Sequence, residues 1–342
     1  MIANAAVDIW SHEGIFPVTK YEDNLKAFRI PSPDGIFIDG EFRYDYDRAE
    51  MLRRIESLGI PWHKEKGDLT FNYVTTFIGF LWDIPRKLVS LPEEKRLKFY
   101  HRVRSFLDRF DGHPCQLLDI ERIHGSLCHV AFVYMLGRSH LPSLSNFASS
   151  FPKDNEFATR YPPHSVMSDL RWWMTTLSVP GVARPLRHLG PVQDIGLYVD
   201  ASTSWGIGII IGDEWAAFRL APSWKVGGRD ICWLETIAIE LLAYFLEEKG
   251  HHDACLLIHS DNQGTIGALD KGRSRNFHIN LSVRRSYLVF SSTSLVPEVI
   301  YITSEANPAD PISRGEPGLP GKQIFPKFML PDELIDIFLC HS

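Results

Sequence analysis

The sequence predicts a mixed α/β protein in which a mainly helical region precedes a region of strands alternating with helices. Three observations carry this expectation. From about Asp45 to Leu177 apolar residues recur mostly at helical spacing, whereas from Asp194 onward apolar runs of strand length alternate with amphipathic stretches. Between them lies Ser178-Val-Pro-Gly-Val-Ala-Arg-Pro-Leu186, followed by Gly190 and Pro191, a connection punctuated as linkers are. A length of 342 residues gives room for more than one domain. With 44% hydrophobic and 23% charged residues, disordered and collagen-like classes are excluded.

The elements follow in order. Arg48–Leu58 is amphipathic and stops at Gly59, with Pro61 just beyond. Phe71–Trp82, rich in β-branched and aromatic residues, reads as a strand or hairpin. Pro92, Glu93 and Glu94 open a helix over Lys95–Phe110. Further helices are expected at Leu117–Met135 and Ser165–Leu177. After the connection come strands at Asp194–Ala201, Trp205–Ile211 and Glu214–Leu220, then a helix at Ile231–Lys249 ended by Gly250. A strand at Ala254–His259, helices at Gln263–Leu269 and Ile279–Phe290, and a strand at Val296–Ile302 complete a β-β-β-α-β-α-α-β order, which folds as a mixed sheet with helices.

No apolar stretch approaches the ~20 residues of a membrane helix, so no membrane partner is expected. The first residues lack the basic and apolar regions of a secretory signal. Cys115, Cys128, Cys232, Cys255 and Cys340 form no CxxC pair, which favours reduced thiols in an intracellular protein, cytoplasmic or nuclear, not secreted.

The net charge of −6 hides two basic blocks. Arg86–Arg109 holds Lys95, Arg96, Lys98, Arg102 and Arg104, and Lys271–Arg285 holds Arg273, Arg275, Arg284 and Arg285 with no acid among them. Such blocks are solvated faces or anion-binding surfaces.

Four acids of the second region sit where an element ends or faces another. Asp200 lies in Leu197-Tyr-Val-Asp-Ala-Ser, and Asp261 directly follows the apolar run Leu256-Leu-Ile-His-Ser260. Glu235 is near the start of an otherwise apolar helix, and Asp310 is in Asn307-Pro-Ala-Asp-Pro-Ile-Ser-Arg314. Singly, each has a plainer reading: Asp200 as a turn cap with Ser202 and Thr203, Asp261-Asn262 as a helix cap. Together at one sheet edge they would repel one another unless divalent cations held them. Two Mg²⁺ or Mn²⁺ ions would suit phosphodiester cleavage.

Those motifs, in that order, resemble the ribonuclease H domain of gypsy- and DIRS-type retroelement reverse transcriptases, over about Gln193 to Arg314. The resemblance implies Asp200, Glu235, Asp261 and Asp310 as catalytic metal ligands, and an RNA–DNA hybrid as substrate. Glu240 offers an alternative register for the glutamate; the two lie about 140° apart around a helix, so only one can face the metals.

The resemblance extends upstream. Tyr21-Glu22-Asp23-Asn24 is similar to the Tyr-x-Asp-Asp hairpin of a reverse-transcriptase palm, with Asp23 as a metal ligand and Asn24 in place of the second aspartate. Leu58-Gly-Ile60 with Lys64 or Lys66, and Thr76–Trp82 with Leu91–Arg96, resemble the palm and primer-grip segments that follow. The implied organisation is a partial palm with the start of the thumb over 1–110, a helical thumb and connection over 111–190, a ribonuclease H-like domain over 191–316, and a tail over 317–342. The other polymerase aspartate would lie upstream of Met1, so polymerisation by this chain is not expected. Lys95, Arg96, Lys98 and Arg102 on the thumb, with Arg273, Arg275, Arg284 and Arg285, would hold the nucleic acid. The rival expectation is a catalytically silent nucleic-acid-binding remnant. His251-His252 reads as a helix end, His124, Cys128 and His129 as a packed helix face, and Trp62, Trp172 and Trp173 as core.

Overall fold

The computed structural model describes residues 2–21, 24–31, 37–38, 41–42, 44–60, 70–155, 157–186 and 190–339. The chain forms two compact units, one of Met1–Glu93 with Ala183–Leu186, the other of Glu94–Val182 with Arg187–Ser342.

In the first unit, helix α1 (Ile2–His12) turns Ala6 and Trp10 into a small core with Ile15, Tyr46, Met51 and Ile55. Strands β1 (Val18–Tyr21) and β2 (Asn24–Ala27) pair antiparallel with Tyr21 opposite Asn24. Glu22 and Asp23, like Trp62, Lys64 and Lys66, lie outside the described residues. Short strands β3 (Phe37–Ile38) and β4 (Glu41–Phe42) pair next. Helix α2 (Arg48–Arg54) starts at Asp47, whose side chain accepts from the Glu50 N–H at 2.8 Å. The expected stop is present: Gly59, at φ 57°, closes the turn after Leu58. Strands β5 (Val74–Phe77), β6 (Phe80–Asp83) and β7 (Leu88–Ser90) form a meander, so the expected hairpin is there. Ala183–Pro185 adds a strand on the far side of β7, completing a four-stranded sheet.

The second unit opens with α3 (Glu93–Phe110), β8 (Cys115–Gln116), α4 (Leu117–Val130), α5 (Pro142–Ser149), β9 (Thr159–Arg160) and α6 (His164–Ser178), β8 pairing with β9. The helix expected to reach Met135 ends at Val130, and Met135–His140 is a separate 3₁₀ turn. Counting Ala183–Pro185 as β10, the main sheet comprises β11 (Val192–Ala201), β12 (Gly206–Ile211), β13 (Glu214–Arg219), β14 (Cys255–Ser260) and β15 (Val296–Tyr301). Its strand order is β13-β12-β11-β14-β15. The β11-β12 and β12-β13 pairs are antiparallel, while β14 and β15 run parallel to β11 and to each other. Helix α7 (Ile231–Glu248) is apolar nearly all round, as a helix enclosed by neighbours must be, and packs with the sheet and with α9 (Phe277–Ser292). Helix α8 (Gln263–Lys271) follows β14 directly.

The tail expected from 317 onward is part of this core. Leu334, Ile337 and Phe338 are buried with the sheet residues, and Ile324, Phe328 and Leu330 pack against them. Trp215 donates from Nε1 to the Leu319 carbonyl at 2.9 Å, and two isolated bridges tie 323 and 338 to β13 and its end. Nor do the compact units divide at 110 or 190. The helical region belongs with the sheet because its polar residues are satisfied there: Asn280 and Arg284 of α9 both donate to the Ser139 carbonyl, at 2.7 and 2.8 Å.

Candidate metal centre

Parallel pairing decides where the acids meet. Because β11 and β14 run the same way, Asp200 near the end of one and Asp261 just past the end of the other reach the same edge of the sheet. Asn262 caps α8, accepting from the Thr265 N–H at 3.0 Å, so Asp261 is free of that duty. Helix α7 begins at Asp230, whose carboxylate accepts from the Trp233 N–H at 2.9 Å, and this start places Glu235 beside the strand end. There Glu235 Oε1 accepts from the Ala201 N–H at 3.1 Å.

The result is one group: carboxylate oxygens of Asp200, Glu235 and Asp261 all lie within 4.8 Å of one another. Asp200 and Glu235 are buried, at 3% and 2% exposure, and Asp261 is half-buried. Burial drives the Asp200 carboxyl up to about 7, with the charges of Asp261 and Asp310 adding to it and the Ser313 hydroxyl opposing. Burial, then Asp200 and Asp261, push Glu235 well above the ordinary carboxylate range. Among the described residues Glu235 Oε2 has no hydrogen-bond partner, although it is buried. A buried, unsatisfied carboxylate oxygen facing two other acids is costly unless a cation completes it. The donor set is all oxygen and anionic, which fits a hard divalent ion such as Mg²⁺ or Mn²⁺.

Residues that were not singled out as functional hold this edge in place. Ser304 Oγ donates to Asp261 Oδ2. Asn307, itself buried, donates from Nδ2 to the Val199 carbonyl at 2.9 Å, pinning the following loop to β11. Gly208, opposite Asp200 in the sheet, admits helix α10 (Asp310–Ser313): a Cβ there would meet the Ala309 carbonyl oxygen at 2.5 Å and the Ser313 nitrogen at 2.7 Å. Most of these lie inside or next to the Asn307–Arg314 motif. Gly208 gave no signal beyond being a glycine in a strand.

Asp310, the fourth acid of the expected ligand set, is placed apart from the other three. It is near enough for its charge to act on Asp200 and Glu235, yet it is outside the ligand group. Both its oxygens are taken by Arg314, with Nε to Oδ2 at 2.9 Å and a terminal nitrogen to Oδ1 at 2.8 Å. The choice between the two glutamates is also decided by position. Glu240, fully buried, accepts from Tyr244 at 2.9 Å, Ser282 at 2.6 Å, and Arg285 at 2.5 and 3.0 Å, away from the cluster.

Three arginines of the expected nucleic-acid surface have internal partners. Arg285 is spent on Glu240. Arg284 donates to Asp169 at 3.0 Å, and Arg96 is buried, donating to the Leu177 carbonyl. A charged group buried in an interior must be paired, so these guanidiniums serve the fold. Lys98, Arg273 and Arg275 are exposed, Lys95 is half-buried, and Arg102 is exposed with a bond to Ser126. Arg273 acts on His124 and Cys128 through its charge. Trp173 is fully buried core, as expected, while Trp172 is half-buried and stacks on His140. Cys115, Cys128, Cys232 and Cys255 are free thiols.

In comparison with known proteins, no protein-family model matches the chain and no curated protein matches it significantly.

Proposed function

We propose that the chain is a divalent-cation-dependent nuclease of the ribonuclease H kind, cleaving the RNA strand of RNA–DNA hybrids, and that it derives from the C-terminal part of a retroelement reverse transcriptase. The observation that carries this reading is the buried Asp200, Glu235 and Asp261 group at the strand ends, in which one Glu235 oxygen has no hydrogen-bond partner among the described residues. The element order from β11 to β15 supports it, since it is the β-β-β-α-β-α-α-β order on which the resemblance rests. Asp200, Glu235 and Asp261 would hold the ion. A bound divalent ion supplies Lewis-acid chemistry, polarising a phosphoryl oxygen and lowering the pKa of water. Ser304 orients Asp261, the Ala201 N–H orients Glu235, and Asn307 keeps the loop bearing Asp310 against the sheet. The rival reading, a silent binder, rests on the basic blocks, and these lose Arg96, Arg284 and Arg285 to internal partners.

The test is cleavage of an end-labelled RNA–DNA hybrid by the purified chain. Shortened RNA that appears with Mg²⁺, not with chelator, and not with Asp200→Asn is the expected outcome. Tight hybrid binding with no cleavage under any divalent ion would favour the silent binder.

A further inference from the structure

The sequence suggests two ions, but Asp310 already has a cation. Its carboxylate is gripped bidentately by Arg314 within one turn of α10, an i,i+4 pair whose charged fork matches both oxygens. The guanidinium also feels Asp200 and Asp261, so its charge reaches the cluster as well as Asp310. We propose that Arg314 is the built-in cation on the Asp310 side, so that the centre takes one divalent ion at Asp200, Glu235 and Asp261, and a second only when the guanidinium leaves Asp310. This rests on reading the acid cluster as a cation site.

Two physical terms act together. Each Asp310 oxygen already accepts from the guanidinium, so a second hard cation would have to share its oxygen ligand with that donor. A guanidinium a few ångströms away also repels any ion seated beside it. The backbone cannot offer an escape. Helix α10 is seated on Gly208 with no room for even a methyl group, and the preceding loop is tied to β11 through Asn307. The Arg314 side chain is 58% exposed, so it can swing into water at the small cost of an exposed ion pair. The second site is therefore weak and switchable, and what closest approach of a polyanionic substrate would do is pull the guanidinium outward onto phosphate.

The experiment counts bound Mn²⁺ from the free-ion electron paramagnetic resonance signal, titrating the full chain, Arg314→Gln, and Arg314→Gln with Asp310→Asn. Circular dichroism verifies that each is folded. The wild type should hold one ion tightly. Arg314→Gln should gain a second ion bound about tenfold more tightly than any second ion of the wild type, as expected for losing one surface pair and one nearby like charge. The double variant should return to one. Two ions of comparable affinity in the wild type would overturn the proposal. One ion with unchanged affinity in all three proteins would overturn the role of Arg314 while leaving the cation site intact. No bound ion in any of them would overturn both.

Discussion

Glu235 and Glu240 lie on the same helix and are equally removed from water, yet their surroundings differ completely. Every oxygen of Glu240 is donated to, by Tyr244, Ser282 and the two-pronged Arg285. Glu235 has one backbone donor, one empty oxygen and two acids for neighbours. Asp169 is satisfied in the same way as Glu240, by His140, Ser143 and Arg284. That one buried carboxylate is satisfied this thoroughly while another is left open at a strand end is what supports the proposed cation site.

The comparison can be broken in several ways. The largest effect expected is on cleavage: Asp200→Asn or Glu235→Gln should lower hybrid hydrolysis by about 10³–10⁴-fold in a single-turnover assay, with little change in hybrid affinity. Glu240→Ala should act on the fold instead, costing roughly 3–5 kcal/mol in urea denaturation because it strands the Arg285 charge in the interior. In the metal-free chain Glu235→Gln should do the reverse, raising stability by about 1 kcal/mol through relief of repulsion. Equal losses of stability for the two glutamate variants would end the distinction between them.

Acid offers a finer test of the satisfied side. Burial holds His140 below its ordinary value, outweighing Asp169, which raises it, while the Arg284 charge adds to the lowering. The unfolded chain therefore binds the extra proton more readily than the folded one. The stability that His140 contributes is present above about pH 6.5 and is lost as pH falls toward its folded value, at up to ~1.4 kcal/mol per pH unit. His140→Asn should flatten the fall below about pH 6.5; an unchanged profile would show that His140 is not the group being protonated. The smallest effect concerns nucleic acid. Arg275→Gln should reduce the slope of log K against log salt for hybrid binding by about one, whereas Arg285→Gln should leave the slope alone.

These contrasts also show what could be read from the chain. The strands from Asp194 onward were legible because short apolar runs such as Ile207–Ile211 are bounded by turn residues, Asp261 was legible as the acid directly after such a run, and Asp200 as an acid between apolar residues inside one. Glu235 was distinguished from Glu240 only by helix length and geometry, and it is the contacts of Ser282 and Arg285 that explain why Glu240 is elsewhere. Arg284 and Arg285 read as an open basic block because their acids are distant in sequence; Asp169 is 115 residues away and Glu240 is 45 away. The last stretch read as a tail because it lies beyond the Asn307–Arg314 motif at which the resemblance ends, although Leu334, Ile337 and Phe338 fill the core beside β13. Helix α5 was missed between Pro142 and Ser149, being short and rich in serine.

The most direct test is thermal unfolding of the wild type, Glu235→Gln and Glu240→Gln, each with Mg²⁺ and with chelator. An ion that binds only the folded chain raises the midpoint. The account predicts a Mg²⁺-dependent rise in the wild type and in Glu240→Gln, from a lower starting midpoint in the latter, and little or no rise in Glu235→Gln. A wild type that ignores Mg²⁺, or a Glu235→Gln protein that responds to it as fully as the wild type, would contradict the claim that the open carboxylate is held for a cation.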